Sequence, residues 1–131
     1  METAFHKTRP VSATPVDHLL NFLVRGRVFG AIALVSVCAL WQSPVLLTAI
    51  LMILSGVVLV GRKNKQDLII FLICGLAGAS AEIFVVAYGA WSYSAPQLLG
   101  IPSWLPLVWG LSALFIRNVE QRLTAHQPFR S

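Results

Sequence analysis

Charge is scarce in this sequence. Of its 131 residues only 11% are Asp, Glu, Lys or Arg, against about 25% in an ordinary soluble domain. With 56% hydrophobic residues and a mean hydropathy of +0.75, the composition points to the bilayer. Acid is the scarcer sign, with five Asp and Glu against ten Lys and Arg and a net charge of +5. That surplus does not indicate nucleic acid, because the basic residues are not gathered on one foldable soluble face. Cysteine is nearly absent as well. Cys38 and Cys74 lie in apolar runs at different depths, and a disulfide needs Cα atoms within about 7 Å, so two free thiols packed as small apolar groups are expected. No Cys–His cluster marks a metal site, and no cofactor is implied. His6, His18 and His126 fall in the terminal segments. The N-terminus has no basic–apolar–cleavage pattern, so the first span itself is expected to act as the targeting signal. No internal repeat survives residue-by-residue comparison.

What the chain does have is apolar runs. Residues 1–14 are polar, contain Pro10 and show no periodicity, which predicts a mobile tail. Residues 15–131 then read as a single membrane domain. Thr14 suits a helix cap, Pro15 the first helical position and Asp17 the positive end of the helix dipole. Val16, Leu19, Leu20 and Leu23 share one face, so an amphipathic lead-in helix is expected. Four spans follow, at about 28–42, 44–61, 68–91 and 103–117. The first is short for a ~30 Å hydrocarbon core and needs part of the lead-in helix, with Arg25 and Arg27 reaching back to the headgroups. The segment 61–67 reads as a short basic loop. Ser103 is placed to cap the last span, and the polar residues after Arg117 should continue its helix.

All ten basic residues fall on one side of this arrangement, and the two opposite loops have none. The positive-inside rule then places both termini in the cytoplasm. The expectation is an all-α, integral four-helix bundle in a bacterial cytoplasmic (inner) membrane.

One acid interrupts the apolar runs. Glu82 is the only charged residue among the twenty-four from Leu68 to Trp91. A carboxylate inside a span costs at least ~2.5 kcal/mol and ordinarily faces the protein, so it is a functional candidate. Gly75, Gly78, Ala79 and Glu82 share a helix face. Small residues let a second helix approach closely, so this span is expected at the centre of the bundle. A ligand pocket in the outer half of the membrane would contain Glu82, Tyr88, Trp109 and Thr48. The bland alternative is a protonated Glu82 that donates to a neighbouring carbonyl or accepts from an indole as a purely structural hydrogen bond. Trp41, Trp91, Tyr93 and Trp104 read as interface anchors.

Glu82, followed by Gly89-Ala90-Trp91-Ser92-Tyr93, then Leu99-Gly100-Ile101-Pro102 and Pro106-Leu107-Val108-Trp109, resembles a pattern in carotenoid-biosynthesis membrane proteins of the hydratase type. The stretch from Pro102 to Trp109 is also similar to the last spans of small bacterial four-span membrane proteins of uncharacterised role. Three functions follow. As a binding or transport protein, the chain would hold a lipophilic or cationic small molecule against Glu82, and this is the leading reading. As an enzyme, which the resemblance implies, it would use Glu82 as the catalytic proton donor to an isoprenoid double bond that water then hydrates. As an accessory subunit it would bury Glu82 against a partner helix. The implied partners are the bilayer, a lipophilic small molecule, and either a second copy in a homodimer or a larger membrane complex.

Overall fold

A computed structural model describes residues 14–25 and 28–125. The expected mobile tail lies outside these residues except for Thr14, as do Arg27 and His126. Five helices account for most of the described chain: α1 (Pro15–Arg25), α2 (Val28–Leu40), α3 (Pro44–Arg62), α4 (Lys65–Ala87) and α5 (Leu105–Ala125). No strand occurs among the described residues, and the single β-bridge, Leu98 to Ile101, is isolated. The protein is all-helical.

The helix ends follow local chemistry. The Thr14 amide and hydroxyl donate to Asp17 Oδ2 at 2.8 and 2.7 Å, and the Asp17 amide donates back to the Thr14 hydroxyl. This reciprocal cap starts α1, and those hydrogen bonds hold the Asp17 carboxyl below its ordinary pKa. Pro44 opens α3 at a position where its missing amide costs nothing. The basic loop expected over 61–67 shrinks to two residues. Lys63 adopts a left-handed conformation, its amide donating to the Leu59 carbonyl, and the Asn64 side chain accepts from the Gln66 amide to start α4. At the far end α4 stops four residues earlier than expected. Gly89 has a φ of +79°, and the bonds Gly89 to Val86 and Ala90 to Val85 form a Schellman closure.

α3 and α4 are each long and apolar enough to cross a membrane. α2 is apolar but has only 13 residues, about 20 Å at 1.5 Å per residue. α5 is apolar only before Arg117 and runs on unbroken to Ala125. Ser103 does not cap it. The first amides of this turn donate instead to backbone, Leu105 to Pro102 and Val108 to Trp104.

Packing corrects the expected centre. α4 lies chiefly against α5 and touches α3 only lightly, whereas α2, α3 and α4 all lean on α5. α3 also carries α1 and α2, so α3 and α5 share the middle. Phe29, Leu47, Leu51, Val58, Leu111 and Leu114 form the core of that contact. Between α4 and α5 the backbones nearly touch: a Cβ added to Gly75 would lie 2.9 Å from the Pro106 carbonyl oxygen, and one on Gly110 would lie 2.9 Å from that of Phe71. Gly78 and Ala79 are buried on the same side of α4. By contrast Val16, Leu19 and Leu20 on the apolar face of α1 are exposed, by 70, 64 and 42%.

Candidate functional site

Beyond α4 the chain folds back over the helix end. Leu99 and Gly100 both have positive φ, 49° and 90°, and the amides and carbonyls of Leu98 and Ile101 exchange hydrogen bonds of 2.9 Å. This is a type I′ turn, which asks for left-handed residues at both central positions. Gly100 seats the turn on α4, because a Cβ there would meet the Val86 side chain at 2.9 Å. Ile101 is fully buried beneath the loop. The loop thereby brings the Tyr93 hydroxyl to Glu82, donating to Oε2 at 3.0 Å. Burial pushes the Tyr93 hydroxyl above its ordinary pKa, and the hydrogen bond to Glu82 and its charge add to this, while a bond from the Trp91 indole opposes it. No donor among the described residues reaches Glu82 Oε1. The carboxyl, half-buried on an apolar helix, is held through one oxygen and offers the other.

The remaining expected site residues go elsewhere. Tyr88 is 88% exposed at the C-terminal cap of α4; the closure at Gly89 ends the helix before Tyr88 can lie on its inner face. Thr48 donates to its own Pro44 carbonyl and shares a 2.8 Å bond with the Ser103 hydroxyl, which also bonds Gln97. It ties α3 to the loop. Trp109 is stacked on Gly78 and is 41% exposed. Trp104, expected as an interface anchor, is only 9% exposed and belongs to the core, since the buried Ile101–Leu105 segment draws it inward. Tyr93 is half-buried on Glu82, whereas Trp41 and Trp91 are exposed. Cys38 and Cys74 are free thiols, and among the described residues no group of three or more His, Cys, Asp or Glu is placed to hold a metal.

At the opposite end of α4 the structure assembles a polar cluster that the sequence reading treated as topology alone. Asp67 is 4% exposed. Its Oδ2 accepts from Arg62 Nη1 at 3.1 Å, and its Oδ1 lies 3.1 Å from Arg117 Nε. The second contact is an ion pair without hydrogen-bond alignment, so Oδ1 and that Nε remain unsatisfied. Arg62 also stands over the Phe29 ring, 5.7 Å from its centre, and Arg117 Nη2 donates to Gln66 at 2.9 Å. The available signal was Asp67 itself, the one acid inside a basic segment. Beside the cluster is a cleft of about 400 Å³ whose lining includes Arg62, Asn64, Asp67, Asn118 and Arg122.

No family model matches this chain, and no curated protein or solved structure matches it.

Proposed function

We propose that the chain is a four-span protein of a bacterial inner membrane, with both termini cytoplasmic, that binds a lipophilic cation beside Glu82. The spans are α2 with the last turn of α1, then α3, α4 and α5. Two of these are long and apolar, and the basic residues Arg62, Lys63, Lys65, Arg117 and Arg122 all lie at one end of the bundle. One observation carries the ligand reading: Tyr93 fixes Oε2 of a half-buried carboxyl while Oε1 has no donor among the described residues. A lone carboxyl in apolar surroundings attracts a cation more strongly than the same group in water, and a lipophilic cation reaches it without losing a tight hydration shell.

Binding of tetraphenylphosphonium to the reconstituted full chain tests this. Glu82→Gln should weaken it by tenfold or more, and Tyr93→Phe by less, because the carboxyl remains. Absence of binding, or binding indifferent to Glu82→Gln, refutes the ligand reading. The topology is tested separately by cysteine labelling, with position 97 expected to be open to the periplasm and position 64 shielded from it; the reverse pattern refutes it.

A further inference from the structure

We propose that the cleft beside Arg62, about 400 Å³ in volume, is an anion site that takes a phosphate group, as presented by a phospholipid headgroup or by free phosphate. The site lies fifteen residues of α4 away from Glu82, roughly 22 Å along the helix, and does not depend on what binds there.

The charges require a counter-ion. The Arg62 and Arg117 side chains are only 8% and 19% exposed, and they share a single carboxylate, Asp67, itself 5% exposed. Arg122 lines the same cleft. Burying cations beyond their paired anions is unfavourable, so the Arg62–Asp67–Arg117 cluster is short of negative charge. The hydrogen bonding is short in the same place. Arg62 Nε is buried with no acceptor, although its side chain is more than nine-tenths covered. A guanidinium has five donors in a planar fork, and Asp67 occupies Nη1 alone, anchoring the group while leaving much of the fork uncommitted. The Asn64 side chain, whose oxygen is taken by the Gln66 amide, adds a neutral amide NH2 to the lining. A fixed arginine, a second arginine and an amide side chain around an open cleft match the oxygens of a phosphate. At a basic, cytoplasmic membrane face the abundant groups of that kind belong to phospholipids.

The test is thermal unfolding of the full chain in neutral detergent, followed by tryptophan fluorescence. It is titrated in turn with dioleoylphosphatidylglycerol, with dioleoylglycerol, which lacks the phosphate, and with inorganic phosphate. Dioleoylphosphatidylglycerol should raise the midpoint saturably and dioleoylglycerol should not. An equal effect of inorganic phosphate means that free phosphate suffices; an effect of the lipid alone assigns the site to a headgroup held with its chains. Either supports the site. Arg122→Gln, at an exposed position outside the Asp67 pairs, should weaken the effective ligand about tenfold, the share of one charge-assisted hydrogen bond. Arg62→Lys should weaken it further by removing the fork while keeping the charge. If that variant does not fold, Arg122→Gln carries the test. The proposal is overturned if neither phosphate compound shifts the midpoint, if dioleoylglycerol matches the phospholipid, or if Arg122→Gln responds as the parent does.

Discussion

Adding one methyl group at Gly75 should destabilise the bundle, whereas the same change at Gly56 should stabilise it. Both glycines are inside helices, and replacing either by alanine gains up to about 1 kcal/mol of helix propensity. They differ in what the new Cβ meets. At Gly56 nothing lies within 4 Å; at Gly75 the Pro106 carbonyl oxygen would be 2.9 Å away and the Gly110 amide 3.8 Å. Ordinary contact begins near 3.4 Å, so α5 must retreat by about half an ångström. The obstacle is backbone, so no side chain can rotate aside. Overpacking of this kind costs about 1–3 kcal/mol, which offsets or exceeds the propensity gain and leaves Gly75→Ala up to about 2 kcal/mol less stable than the parent. Gly56→Ala should be up to about 1 kcal/mol more stable. Unfolding in mixed micelles of rising dodecyl sulfate fraction, read by far-UV circular dichroism and tryptophan fluorescence, measures both. If Gly75→Ala proves as stable as Gly56→Ala, the close α4–α5 contact is refuted.

Other outcomes follow from the same geometry. Asp67→Ala should cost about 3–5 kcal/mol by leaving Arg62 and Arg117 buried without their carboxylate, while a triple variant carrying Arg62→Met, Asp67→Leu and Arg117→Met should regain most of it; micellar unfolding of both variants checks this. Leu99→Asn should stabilise the protein by about 1 kcal/mol, because a left-handed leucine is strained and asparagine is not. A loss of stability in the same assay would mean that the leucine side chain has a partner of its own. The depressed Asp17 pKa contributes stability that is present above about pH 4 and lost as pH falls through the lowered value. The protection factors of the first α1 amides, observed exchange measured against the intrinsic rate at the same pH, should therefore fall in acid, and Asp17→Asn should flatten that dependence.

The sequence alone determined the helical class, the apolar runs and the grouping of basic residues, because each is a local property of composition and period. It also contained the early end of α4: Gly89 is the residue type that closes a helix in a left-handed turn, although the apolar run continues past it. Other features had no local signal. Whether Glu82 meets Trp109 or Tyr93 depends on a loop that turns back at Leu99-Gly100, and the direction of that turn is set by its seat on Val86. Trp104 and Trp91 carry the same side chain near the same helix ends, yet one is buried and the other exposed, because only the first belongs to the core cluster with Ile101 and Leu105. Most plainly, Arg62, Asp67 and Arg117 are ordinary helix-end charges as letters. Only the meeting of α3, α4 and α5 converts them into a buried cluster with two cations for one anion. Burial and pairing of charge are properties of the assembled surfaces, and so the tertiary structure decided them.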